Sequence, residues 1–260
     1  MNFNKKIVIL KHHYIGIDMF KYCLTLIIAA TISLYAVAQS NVSDFIANGN
    51  KKIKEKDFKG ALTEFQNALN VSPNDSLALN GIIRATTLLE DYKEAQRWVA
   101  TALEAYPNNP DFLFRRGIIK NLNGYHAKAI QDFESALSQN PNSSLKVQIL
   151  LNKASAHFKL EQFAESLADY NKVLEMEPRN FKAYSFRGLV NFRLGYYVDA
   201  VTDYTTAIDL DPTSPLPYYN RGMSLIKLNE IQKACADFRK ACQMGYMNSC
   251  KMVVAECGTR

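Results

Sequence analysis

Four cysteines crowd one end of this sequence: Cys235, Cys242, Cys250 and Cys257, with separations of 7, 8 and 7. Thiols grouped this way can form disulfides, hold zinc or pack as small hydrophobes. None of the gaps matches the short spacer usual in a zinc site, which makes metal the poorest fit. Apolar periodicity puts Cys235 and Cys242 two turns apart on one helix that Gly245 ends. Asn248 is placed to cap a further helix carrying Cys250 and Cys257. Contacting residues of an antiparallel helix pair keep a nearly constant sum of residue numbers. Cys242 with Cys250 and Cys235 with Cys257 share one sum. The expected bridges are therefore nested, the inner one near the turn and the outer one two turns away. The outer bridge requires Cα atoms within ~7 Å, which helix pairs reach only at tight contacts. Buried free thiols are the alternative.

The other reactive side chains do not assemble into a catalytic set. The four histidines are His12, His13, His126 and His157, and neither of the last two has an acid or cysteine at ligand spacing. There is no His-Glu-x-x-His, no Gly-x-Ser-x-Gly and no phosphate-cradling glycine loop. Asp132, Asp169, Asp203 and Asp237 recur at intervals of 37, 34 and 34, each one residue before an aromatic. A catalytic pair would not return once per repeat, so these carboxylates are expected to make exposed or inter-repeat polar contacts. Arg116, Arg187 and Arg221 each precede a glycine and are expected to reach a neighbouring acid. Scattered in this way, they do not form the cationic cluster that phosphate or nucleic acid requires. No enzyme activity, metal or cofactor is expected.

The elements that position these residues repeat. Alanine, an aromatic four residues on, a second alanine after three more and proline five beyond recur as Ala61-Phe65-Ala68-Pro73, Ala129-Phe133-Ala136-Pro141 and Ala200-Tyr204-Ala207-Pro212. Weaker copies contain Val99 and Tyr170, and Phe238 anchors a last one in which Tyr246 replaces proline. Successive prolines lie 34, 34, 37 and 34 apart, which places a three-residue insertion near Ser144-Leu145-Lys146. Upstream, a small residue recurs at Gly49, Gly117, Ala154, Gly188 and Gly222, with Ile83 as the exception. Each repeat reads as two amphipathic helices that approach closely at the small residues, with the aromatic filling the gap. One such pair cannot bury both faces, so neighbouring pairs must stack.

This pattern resembles the tetratricopeptide repeat in six units: 42–75, 76–109, 110–143, 147–180, 181–214 and 215–248. The resemblance implies an all-α, right-handed superhelical solenoid of six helix-turn-helix repeats, with residues 249–260 as a capping helix and tail. Lys240 to Gly245 leading to Cys250 also looks like the cysteine-rich exported relatives of this class. In such families ligands lie along the concave wall, on the first helix of each repeat. The positions that carry this over are Arg84, Phe114, Leu151, Phe158, Lys159, Lys182, Leu189, Phe192, Arg193 and Tyr219. Asp111 is the one acid in the full set, so an extended or helical partner of acidic character is expected. No three consecutive repeats supply the Lys/Asn/Arg set of a chaperone-tail clamp.

The first 38 residues read differently. Lys5, Lys6, Lys11 and Lys21 precede an uncharged apolar run from Cys23 to Ala38 that closes on Ala36-Val37-Ala38. That order is a secretory signal peptide, cleaved after Ala38, and it most resembles a bacterial one. A membrane anchor is the rival, though the run is shorter than the ~20 residues a spanning helix needs. Met19 offers an internal start, which would make residues 1–18 an upstream extension. The chain has 260 residues, 48% hydrophobic and 22% charged, too apolar for disorder. Its formal charge of +6 falls to +3 beyond residue 38, with 27 Lys and Arg against 24 Asp and Glu, far from a nucleic-acid footprint. The sequence therefore points to a non-catalytic protein- or peptide-binding scaffold on the periplasmic or cell-surface side of an envelope, with no stable membrane span after cleavage. A carrier or regulatory subunit of an envelope enzyme complex is the alternative.

Overall fold

The computed structural model describes residues 41–258, which form helices joined by short turns, with no strand among them. Residues 1–38, expected to be a signal peptide, lie outside the described residues. Residues 41–54 are helical and are labelled α1. There follow α2 (Phe58–Val71), α3 (Ser76–Leu88), α4 (Tyr92–Ala105), α5 (Pro110–Leu122), α6 (His126–Ser138) and α7 (Ser143–Lys159). The chain continues as α8 (Phe163–Met176), α9 (Phe181–Leu194), α10 (Tyr197–Leu210), α11 (Pro215–Lys227), α12 (Ile231–Gln243) and α13 (Met247–Glu256). Two compact units divide the chain inside α4, one ending at Trp98 and the other beginning at Val99.

Local chemistry sets the helix ends. Asp75 and Asn109 accept hydrogen bonds from the first free backbone N–H groups of α3 and α5, and Asn142 and Asn180 do so for α7 and α9. Pro110 and Pro215 open α5 and α11, where a missing N–H costs nothing. Gly195 closes α9 in the left-handed region at φ 83°, a conformation that only glycine adopts without steric cost. The inserted residues Ser144, Leu145 and Lys146 lie within α7, not in a loop, and lengthen that helix to 17 residues. Asn248 does not cap the last helix: Tyr246 holds that position, and Asn248 sits in the first turn of α13.

In the second unit each helix packs on the next, from α5 on α6 through to α12 on α13. The core lies between the two helices of each hairpin. Phe133, Tyr204 and Phe238 are fully buried, and each ring lies against a glycine of the facing helix. A Cβ added at Gly117 would stand 2.5 Å from Phe133, and one at Gly222 would stand 2.6 Å from Phe238. In the first unit Phe65 lies between two glycines, Gly49 and Gly81. Gly81 falls outside the repeated small position, so the pattern along the chain does not mark it.

The last two helices are bridged twice. Cys242 joins Cys250 with Cα atoms 4.8 Å apart, and Cys235 joins Cys257 at 5.6 Å. Met252, Val253 and Cys257 pack against the cluster around Leu225, Ala234 and Phe238, so the bridges hold α13 over the end of the core.

Candidate functional site

The recurrent aspartates are buried, contrary to the exposed or inter-repeat contacts expected of them, and each faces a cation 16 residues earlier on the first helix of its own hairpin. Arg116 binds Asp132 through Nε and Nη2 at 2.8–3.1 Å. Arg187 grips Asp203 at 2.6–3.2 Å, and Arg221 grips Asp237 with two bonds of 2.8 Å. Two of these guanidiniums also reach back to the preceding hairpin. Arg187 Nη1 donates to Asn171 at 2.8 Å, and Arg221 Nη1 donates to Thr205 at 3.1 Å. One planar cation thus ties three helices, a task suited to its fixed fork of donors. The hydrogen bond to the carboxylate is the largest cause raising the Arg187 and Arg221 pKa values. These groups are engaged in holding hairpins together and are not free to read a ligand.

The fourth repeat departs from this rule. Lys153 stands where the others have arginine and makes a single 3.4 Å bond to Asp169 Oδ1, with Glu134 of α6 at 3.8 Å. Asp169 Oδ2 is buried with no hydrogen-bond partner. His157 faces it through Nε2 at 3.8 Å, while its Nδ1 bonds Gln162 Oε1 at 2.8 Å. Burial raises the Asp169 carboxyl above the usual range, against the opposing pull of Lys153, His157 and Lys172. Among the described residues no group of three or more His, Cys, Asp or Glu is placed to hold a metal ion.

The side chains expected to meet a partner divide into several groups. In the first unit Arg84 is half-buried and donates from Nη1 to Asn50 at 3.4 Å. Phe114 must be withdrawn as a contact residue, because it is 2% exposed and packs on Phe133 at 5.9 Å. Leu151 and Leu189 are half-buried, and Leu151 packs against the cluster containing Tyr170 and Val190. Tyr219 is held between Phe238 and Tyr246, with ring centres at 5.9 and 5.1 Å. Lys159, Lys182 and Arg193 are exposed, with Lys182 leaning over the Phe181 ring. Phe158 and Phe192 are half-buried against Phe163 and Tyr197 respectively.

Of this set, the structure brings Phe158 and Arg193 together. The Arg193 guanidinium lies 5.5 Å from the Phe158 ring centre and 5.4 Å from that of Phe163. Phe163, the first residue of α8, and Glu161, in the turn before it, complete this group; neither was among the expected contact positions, which were confined to first helices. First helices of successive hairpins also touch, α5 on α7 and α9 on α11, so they share one side of the second unit.

Known proteins share this architecture. Models of the tetratricopeptide repeat match residues 89–144 and 151–215, 52–113, and 203–236. Human tetratricopeptide repeat protein 6 is 25% identical over 134 residues, which is 52% of this chain and only 25% of that protein. The crystal structure of PilW, a type IV pilus biogenesis factor, superposes with a TM-score of 0.76 at 17% identity, covering 82% of this chain and 98% of that one. Pseudomonas aeruginosa PilF gives 0.73 at 12% identity over 84% and 99% of the two chains. At these identities the two structures share the fold with this chain. Repeat models across most of residues 52–236, together with helical hairpins closed by the same contacts in turn, show that this chain belongs to the tetratricopeptide repeat family, whose members are protein-interaction modules.

Proposed function

We propose that this protein is a non-catalytic scaffold of a bacterial cell envelope, exported by residues 1–38 and binding a protein or peptide along the first helices of six repeats spanning 42–248. The observation that carries this reading is a division of labour on those helices. The arginines and glycines in their middle turns are consumed by packing within and between hairpins. Lys159 and Lys182 stand exposed outside that packing, Lys182 over Phe181, and Arg193 stands exposed over half-buried Phe158 and Phe163. Half-buried aromatics flanked by cations suit a partner with apolar anchors and acidic character. Two bridges in a C-terminal cap, residues 249–260 with the helix before it, favour an oxidising compartment. The fold shared with PilW, itself a pilus biogenesis factor, favours assembly work.

Purification of the tagged protein from envelopes in mild detergent tests this reading. A stoichiometric partner is expected, lost on substitution of Lys159, Lys182 and Arg193 together, with a mature N-terminus at Gln39. Catalytic turnover by the isolated chain, or a partner that ignores the triple substitution, would refute it.

A further inference from the structure

We infer that the C-terminal ends of α7, α9 and α11 form a ledge that binds an extended peptide bearing a carboxylate at every third residue. This inference rests on the protein-binding reading above and adds the place, the chemistry and the register. Lys159, Arg193 and Lys227 stand at 34-residue intervals in the last turns of three consecutive first helices, and all are exposed. Lys159 and Lys227 make no ion pair among the described residues. Helix dipoles favour cations at these ends and account for their sign. They do not account for the aromatic pairs that neighbour two of them. Phe158 packs on Phe163 at 5.6 Å and Phe192 on Tyr197 at 5.4 Å, so an aromatic pair recurs beside each of the first two cations. Arg193 crosses between hairpins to lie over the first pair, which orients its guanidinium before any ligand arrives and reduces the ordering cost of binding.

One acid intrudes. Glu161 Oε1 is 3.5 Å from Arg193 Nη2, with 74% of its side chain exposed. A contact this long and this exposed is weak, and Glu161 occupies the place an incoming carboxylate would take. The register follows from dimensions. Packed helices stand about 8–10 Å apart, and a chain in the extended polyproline II conformation advances about 3.1 Å per residue. Three residues therefore make one turn, which brings every third side chain back to the same face about one helix spacing further on.

Fluorescence anisotropy with labelled nonapeptides tests the ledge. The probe is three copies of Glu-Gln-Gln, and the control is an isomer with its three glutamates adjacent. The spaced peptide is expected to bind about tenfold more tightly than its isomer. At about threefold per exposed charge contact, the triple variant K159Q/R193Q/K227Q should weaken binding about 20- to 30-fold. E161Q should tighten it about threefold by removing the competitor. Circular dichroism of each variant confirms that the helices are retained. Equal binding of the two peptides, no measurable binding of the spaced one, or indifference to the triple variant would overturn the ledge. If the envelope partner is still captured in those cases, the scaffold reading stands without it. If neither peptide nor partner binds, both fall.

Discussion

Replacing Lys153 by arginine should stabilise the protein more at neutral pH than at acid pH. In the homologous hairpins an arginine spans from Asn171 or Thr205 on one side to Asp203 or Asp237 on the other. Glu134 and Asp169 hold those two places around Lys153, at 3.8 and 3.4 Å. An ammonium offers no planar fork, and Asp169 Oδ2 is left buried without a partner. Such an orphan costs about 1–3 kcal/mol, of which arginine should recover about 1 kcal/mol after the strain of its larger head. In a chain of this size that is about 2–4 °C in Tm. The pH dependence separates this cause from generic packing. Burial raises the Asp169 carboxyl above its ordinary 3.8, so the folded state keeps that proton to higher pH than the unfolded chain does. The resulting stability is complete below the unfolded value and is lost as pH rises through the folded one. At pH 7 the parent therefore carries the full penalty of an ill-paired carboxylate, which arginine relieves. Toward pH 3.5 the parent's carboxyl, its value raised by burial, takes up its proton and the penalty falls away, so the gain should shrink. Thermal unfolding followed by circular dichroism at both pH values measures it. A Lys153→Arg protein that melts no higher than the parent at pH 7, or keeps its advantage undiminished at pH 3.5, would show that the orphaned oxygen is not the cause.

Three further outcomes are expected. Tyr204 is fully buried and its hydroxyl has no partner, so Tyr204→Phe should raise stability by about 1 kcal/mol in urea titration; a loss would reveal a bond to that oxygen. Gly117→Ala would drive a methyl to 2.5 Å from Phe133 and should cost about 1–3 kcal/mol. Adding Phe133→Leu should recover part of that loss, and failure of the rescue would place the strain elsewhere. Reduction opens bridges that span 8 and 22 residues, each worth about 2–4 kcal/mol. Hydrogen exchange should then accelerate in α13 and leave α5 to α8 unchanged, whereas acceleration throughout would mean that α13 is not an independent cap.

The sequence determined the repeat and its packing code by itself. A glycine facing an aromatic 16 residues later, with Asp one place before that aromatic, is a statement about two helices meeting, and it can be read along the chain because both members recur at fixed offset. The resemblance to the tetratricopeptide repeat was legible for the same reason. The burial of Asp132, Asp169, Asp203 and Asp237 was not: the arginines were expected to reach an acid, but a carboxylate reads as surface until its depth is known. Its cation lies 16 residues back, and only the folded hairpin brings the two together. Tertiary structure likewise turned the inserted residues into an extra turn of α7, withdrew Phe114 into the core, and set Arg193 over rings from the preceding hairpin. Periodicity marks which positions are equivalent. It does not say which equivalent side chain still has an unspent face, because burial depends on neighbours from other repeats. The inward packing of this protein is therefore written in its spacing, and its outward chemistry emerges only once the hairpins have stacked.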